Sequence, residues 1–204
     1  MIGIIDYGVG NLFSLRSSLN QLGIESVITS QQEVLQQCSH IILPGVGAFG
    51  DAAQKLRTSG LDRFVCEQAA LGKPLLGICL GMQLLFEKSY EYGEHSGLGL
   101  IKGEVVGMQG KLPENLRIPH IGWNALRMRR ECPIHKYTKE GDFVYFVHSF
   151  YVDGSNESAA ATAEYGIQVC ATVAKDNVFG CQFHPEKSGD VGLAILKAFS
   201  EVGV

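Results

Sequence analysis

The chain of 204 residues is 46% hydrophobic and 19% charged, an ordinary composition for one well-buried domain, expected over 1–204. Its formal net charge of -4, without Lys/Arg clusters, leaves no electrostatic footprint for nucleic acid or for an anionic membrane surface. MIGIIDYGVG has no basic leader and its apolar run stops at Asp6, which predicts a strand, not a signal peptide, and a cytoplasmic product.

In chain order, Ile2 to Ile5 predicts a short buried strand, and DYGVGN turns into a helical pattern of Leu12, Leu15, Leu19 and Leu22 that stops at Gly23. GVGNLF lacks the third glycine of a dinucleotide loop, with Phe13 in its place; Asp6 and Asn11 are expected to tie the turn and the helix start. Glu25 to Thr29 predicts a strand, Gln31 to Gln37 a short helix, and His40 to Leu43 a strand ending in PGVG. Helix follows over Asp51 to Gln68, broken near Gly60, then a strand over Pro74 to Ile78 and a helix over Leu80 to Lys88. The apolar stretch around Leu75 to Phe86 is interrupted by glycines and Gln83 and is too short to span a bilayer.

Strands alternating with helices predict a mostly parallel sheet covered on both faces. From Gly99 the texture turns β-rich, through IKGEVVGM, HIGWNALRM, FVYFVHSFYV, SAAATAEY, QVCATVA and NVFGCQF, until a last helical pattern over Val191 to Val202. The expected fold is a single α/β domain with a mixed β-rich extension in its second half.

Cysteines at 38, 66, 79, 132, 170 and 181 show neither CxxC pairs nor zinc-like spacing, so no metal site is expected. Cys79 differs from the rest. In GICLG it sits at a strand end between Gly77 and Gly81, the spacing of the G-x-S-x-G nucleophile elbow, with a helix starting at the next residue. A helix N-terminus favours the thiolate. The competing reading is a small core cysteine beside glycines that allow close packing.

A base is needed, and QFHPEK provides a candidate. Pro185 favours an extended His184, and residues two apart in extended chain share a side, which would let the Glu186 carboxylate orient the imidazole toward Cys79. The alternative is a plain loop. For an oxyanion site, the glycines of Pro44 to Gly47 can turn a backbone N–H inward to join that of Leu80; the alternative is an ordinary turn.

GICLGMQ, PGVG and HPEKSG together resemble the class I glutamine amidotransferases of the Cys-His-Glu type. Met82 stands where carbamoyl phosphate, anthranilate and GMP synthetase glutaminases usually carry histidine. Within the class, DYGVGNLFS, LPGVGAFGDA, GMQLLFE, PHIGWN, YFVHSFYV and GCQFHPEKSG, spread from end to end, are similar to the glutaminase subunits of imidazole glycerol phosphate synthases. The resemblance implies a flavodoxin-like sheet and the triad Cys79, His184 and Glu186. It implies an oxyanion region at Gly45, Val46, Gly47 and Leu80, and glutamine contacts at Gln83, His148 and Ser149. It also implies that a (βα)8-barrel cyclase subunit takes up the ammonia and converts PRFAR to imidazole glycerol phosphate and AICAR, without metal or organic cofactor. Asn11 and Trp123 are the candidate partner contacts, Trp123 because exposed aromatics anchor interfaces, although it could be core. Two other readings are the glutaminase of pyridoxal phosphate synthase, whose loop usually reads PGGES instead of PGVG, and a non-catalytic flavodoxin-like module.

Overall fold

Short apolar runs closed by glycine or proline build the central sheet of the computed structural model, which describes residues 1–155 and 157–203. The first half alternates β1 (Ile2–Ile5), α1 (Leu12–Gln21), β2 (Ser26–Thr29), α2 (Gln32–Gln37), β3 (His40–Leu43), α3 (Phe49–Thr58), α4 (Leu61–Ala70), β4 (Leu75–Ile78) and α5 (Leu80–Leu84). Then follow β5 (Phe86–Ser89), β6 (His95–Ser96), β7 (Ile101–Gly107), β8 (His120–Ala125), β9 (Arg127–Met128), β10 (Phe143–His148), β11 (Phe150–Asp153), β12 (Ala159–Glu164), β13 (Gln168–Lys175), β14 (Val178–Cys181) and α6 (Gly189–Ser200).

The main sheet runs β2-β1-β3-β4-β14-β13-β12-β9. Its first five strands are parallel and the pairings from β14 through β13 and β12 to β9 are antiparallel. The strands of the parallel part are apolar at nearly every position because both faces are covered. Ile42 and Leu76 point into one core with Leu15 and Leu19 of α1 and Ile195, Leu196 and Phe199 of α6. Their neighbours Ile41, Leu43 and Leu75 point into the other, with Phe49 and Leu56 of α3 and Phe64 and Val65 of α4. The expected α/β fold with a mixed extension is the one observed; the extension also supplies two smaller sheets, β10-β8 and β11-β7-β5-β6.

Two local expectations are corrected. The helix expected over Leu80 to Lys88 ends at Leu84, because Phe86 pairs with Ile101 and Lys88 with Glu104 in β7, so the chain leaves the helix to join a sheet. Asn11 precedes α1 but makes no side-chain cap bond, whereas Asp6 does tie the turn by accepting from the Gly8 N–H at 3.1 Å.

α5 leaves β4 so abruptly that its first turn lies against the end of β3. A Cβ on Gly81 would overlap the Leu43 carbonyl oxygen, and one on Gly77 would come within 2.7 Å of the Met82 backbone. Backbone cannot yield as a side-chain tip can. Gly81→Ala is therefore expected to cost about 3 kcal/mol or more of stability. Urea unfolding checks this; an unchanged midpoint would mean the contact relaxes freely.

Candidate active site

Three adjacent parallel strands, β3, β4 and β14, each end in one of the motifs singled out above. PGVG follows β3, Cys79 follows β4, and His184 stands three residues beyond β14. This is the carboxyl edge, where open α/β sheets place their chemistry.

Cys79 has φ 54° and ψ -111°, in the left-handed half of the map that side chains other than glycine rarely enter. Its N–H donates to the Cys181 carbonyl at 2.7 Å, extending the β4–β14 pairing by one residue, and its own carbonyl accepts from the Gln83 N–H at 3.1 Å. The residue thus serves as the last link of the ladder and the first acceptor of α5. α5 is little more than a turn, so it presents free N–H groups to the site but no long dipole.

His184 is extended (φ -98°, ψ 99°), but Pro185–Lys187 form a 3-10 turn, so the His-Pro-Glu geometry arises differently from the extended run expected. The result still brings Nδ1 of His184 within 2.8 Å of the Glu186 Oε1, with the two side chains only 4% and 3% exposed. The backbone of His184 is held from both sides, its N–H on the Tyr145 carbonyl at 3.0 Å and its carbonyl accepting from the Ser188 Oγ at 2.7 Å. With Nδ1 committed to Glu186, the other ring nitrogen is left for the Cys79 thiol, which lines the same cavity. Burial alone would depress the His184 pKa; the hydrogen bonds and charges of Cys79 and Glu186 more than reverse this and raise it to about 10.

A cavity of about 440 Å³ opens over this edge, lined among others by Val46, Gly47, Cys79, Leu80, Gln83, Glu91, Tyr92, His148, Ser149, His184 and Lys187. It gathers most of the expected site residues. Of the triad, oxyanion and substrate residues, Glu186 and Gly45 do not line it: Glu186 sits behind His184, and Gly45 lies behind the loop, where a Cβ would stand 2.7 Å from the Gly81 nitrogen and 3.0 Å from the Tyr7 hydroxyl. Asn11 borders a narrow gap shared with Gly45, His184 and Glu186. Trp123 stands apart on β8, 52% exposed, edge-on to Tyr145 with ring centroids 5.9 Å apart. Gln83 Nε2 is engaged by the Phe150 carbonyl and by the Gln182 Oε1, both at 3.0 Å, which leaves its own oxygen as the free acceptor.

Two residues that sequence reasoning missed fix the PGVG loop. The Tyr7 hydroxyl donates to the Pro44 carbonyl at 2.7 Å, with its pKa raised by burial and by Cys79. Glu91 accepts from the Phe49 N–H at 2.7 Å; burial raises its pKa, while that bond and nearby His95 pull it back. Neither belongs to a local motif. Tyr7 reads as part of a turn, and Glu91 reaches the pocket only through the β5–β6 hairpin. Among the described residues, no group of three or more His, Cys, Asp and Glu side chains could hold a metal ion.

An imidazole between a thiol and a buried carboxylate suits attack on an acyl carbon, so fold and geometry together define a cysteine-dependent acyl-transfer protein of the doubly wound class. The glutamine amidotransferase class-I family matches residues 3–201, and the chain belongs to that family. It is 52% identical to the imidazole glycerol phosphate synthase subunit HisH of Caldanaerobacter subterraneus subsp. tengcongensis, over 99% of this chain and 98% of that one. It is 48% identical to the HisH subunit of Bacillus subtilis, over 99% and 96%. Among solved structures, a glutamine amidotransferase (TM-score 0.75, 20% identity, 98% of each chain) shares the fold. So does PurLQS from Thermotoga maritima (TM-score 0.75, 20% identity, 98% of this chain and 96% of that one).

The His184 shift has a thermodynamic consequence. Its pKa rises from 6.5 to about 10 on folding, so the proton held by the pair stabilises the fold fully below about 6.5 and progressively less as pH climbs toward 10. Glu186→Gln removes one of the two partners. The melting-temperature gap between wild type and this variant should be largest near about pH 6 and narrow toward about pH 9.5. A gap independent of pH over that range would show that His184 is not charged in the native state.

Proposed function

We propose that this chain is the glutaminase subunit of an imidazole glycerol phosphate synthase. It hydrolyses glutamine to glutamate and ammonia and hands the ammonia to a (βα)8-barrel cyclase subunit, which converts PRFAR to imidazole glycerol phosphate and AICAR. The observation that carries this reading is the near-50% identity to HisH subunits over essentially full length, in a chain where His184 is paired with Glu186 and shares a cavity with Cys79.

The Cys79 thiolate attacks the side-chain amide carbon of glutamine. Backbone N–H groups of the Val46–Gly47 loop and of Leu80 take the oxyanion. His184 passes its proton to the leaving nitrogen, ammonia departs, and a thioester remains on Cys79. Water, deprotonated by His184, then attacks the thioester; glutamate leaves and the thiol is restored. Glu186 keeps the imidazole in the required tautomer throughout. At the far end of the substrate, the Glu91 carboxylate and the free Gln83 oxygen suit the α-ammonium group, with the His148–Ser149 segment forming the opposite wall. A cytoplasmic location fits free cysteines at 38, 66, 79, 132, 170 and 181, one of them required as a thiol.

Cys79→Ala, assembled with the cyclase, should lose glutamine-dependent synthesis by several orders of magnitude yet keep synthesis driven by added ammonium salt, since the second reaction belongs to the partner. Loss of both, or retention of both, would overturn the assignment. On the docking side, Ile121, Trp123 and Phe143 are exposed on the paired strands β8 and β10. Trp123→Ala should weaken association with the cyclase by about tenfold or more while leaving the alkylation rate of Cys79 in the free chain unchanged. Titration calorimetry checks the first and iodoacetamide labelling the second; unaltered affinity would remove Trp123 from the interface.

A further inference from the structure

His120 and His148 lie outside the triad, on the paired strands β8 and β10, and both are buried. Their hydrogen bonds cannot all be satisfied by two neutral rings. The Phe150 carbonyl only accepts, so Nδ1 of His148, 2.9 Å away, carries a proton. Asn124 uses its Nδ2 to donate to the Glu164 carbonyl at 2.8 Å, so its Oδ1 faces Nε2 of His120 at 2.7 Å, and that nitrogen carries a proton too. The remaining nitrogens, Nδ1 of His120 and Nε2 of His148, are 3.0 Å apart. In two neutral rings both would be bare lone pairs pointing at each other. Turning the Asn124 amide over only moves the conflict to the Glu164 carbonyl. One further proton resolves it.

The surroundings indicate which ring holds that proton. His120 is sandwiched between Tyr165, stacked at 3.9 Å between centroids and 16° between planes, and Phe146, stacked at 4.8 Å and 19°. Two aromatic faces on either side of an imidazole favour its cationic form. His148 has no such sandwich; burial, offset in part by the Phe150 carbonyl and reinforced by the charges of His120 and His184, pushes its pKa down to about 3, so it remains a neutral acceptor.

We propose that His120 is an imidazolium at neutral pH and that, by donating to His148, it positions the His148–Phe150 wall of the pocket for glutamine; the second half rests on the glutaminase reading above. Burial lowers the His120 pKa by more than the Asn124 oxygen raises it, so the charge has to be held by contacts beyond that one bond. The two ring faces and the His148 lone pair tip the balance toward the proton. The titratable groups around the pair are Tyr145 on β10, Glu164 and Tyr165 at the end of β12, Arg117 before β8, and Cys79, Glu91, His184 and Lys187 across the cavity. The Tyr165 hydroxyl donates to the Arg117 carbonyl at 2.8 Å, and the Glu164 side chain is taken up by Gln168.

Held in this way, His148 fixes the Phe150 carbonyl, which also accepts from Gln83; Gln83 in turn meets Gln182, whose Nε2 faces the Cys79 sulfur at 3.8 Å. His120 is thus a positioning residue, linked to the substrate wall without touching substrate.

Nitrogen-15 NMR of the histidine-labelled full chain decides the protonation state, with the His120 signals assigned by their loss in His120→Gln. Both ring nitrogens of His120 should resonate in the protonated range at about pH 7.5. A single bare ring nitrogen would overturn the proposal, whether or not the chain proves to be a glutaminase. For the positioning half, His120→Phe keeps the stacking but not the donor. In complex with the cyclase it should raise the glutamine KM about tenfold, change kcat less than about threefold, and leave ammonia-dependent synthesis intact. His120→Gln, which can still donate one N–H to His148, should recover part of the loss. An unchanged KM in the Phe variant, or in the Gln variant if Phe does not fold, would refute the positioning role.

Discussion

Everything at the carboxyl edge of the sheet depends on one strained backbone position, the left-handed turn at Cys79. A residue with a side chain is held there because its N–H is bound to the Cys181 carbonyl while its own carbonyl opens α5. Strain of this kind costs roughly 1–3 kcal/mol and persists only where the surroundings impose it. Here the constraints are the ladder to β14, the absence of a Cβ at Gly77 and Gly81, and the Leu43 backbone pressed against α5. The side chain is thereby lifted above the edge, while the end of β3 is drawn close enough for its following loop to face the same cavity. A nucleophile in relaxed strand or helix geometry would point along a face already filled by apolar side chains.

The electrostatics are set by partners more than by depth. His184 and His135 are both buried, yet their pKa values move in opposite directions. His135 touches only the Thr172 hydroxyl through Nε2, has no partner at Nδ1, and is driven by burial down to about 4. His184 has a carboxylate on one side and a thiol on the other, and is lifted to about 10. A base poised between the two protonation states during turnover needs a compensating charge built in beside it. Glu186 supplies that charge from two residues away, at the cost of being buried with its Oε2 unpartnered. A buried pair of this kind is poor value as a stabiliser alone, which is a physical reason to read it as functional.

What could be read from the chain without its fold was whatever is encoded locally. Ile2–Ile5, His40–Leu43 and Leu75–Ile78 are legible because strands covered on both faces are apolar at successive positions and end at glycine or proline. The elbow is legible because a strained turn restricts its neighbours to glycine. Leu80 to Lys88 misleads because its apolar residues fit a helical period, while the pairing partners that draw Phe86 into a strand lie in β7, well down the chain. His184 and Glu186 do meet, but through a 3-10 turn and not through the extended chain that their spacing across Pro185 predicts. Tyr7, Glu91 and the His120–Tyr165 stack were not legible at all. Each acts across the fold, and nothing in the residues beside it marks its role.

The same distinction bears on how a partner could influence the site. The PGVG loop is fixed at its two ends, by Tyr7 on the Pro44 carbonyl and by Glu91 on the Phe49 N–H. Between those anchors the freedom left is largely that of the peptides around Val46, which is flanked by Gly45 and by Gly47 at φ 93° and has an exposed side chain. Rotating a peptide beside glycine meets little steric resistance, so a contact on Val46 can redirect an N–H without moving either anchor. β8 offers a second route. Its period of two puts Ile121 and Trp123 outward and His120 and Asn124 inward, onto the hydrogen bonds that run through His148 to Gln83. A surface that engaged Val46 and Trp123 together would touch both the PGVG loop and the strand that leads through His120 to the His148–Phe150 wall of the cavity. Each route passes through only a few named contacts, so a double-mutant cycle between Val46 and His120 measures whether the two act as one device or as two.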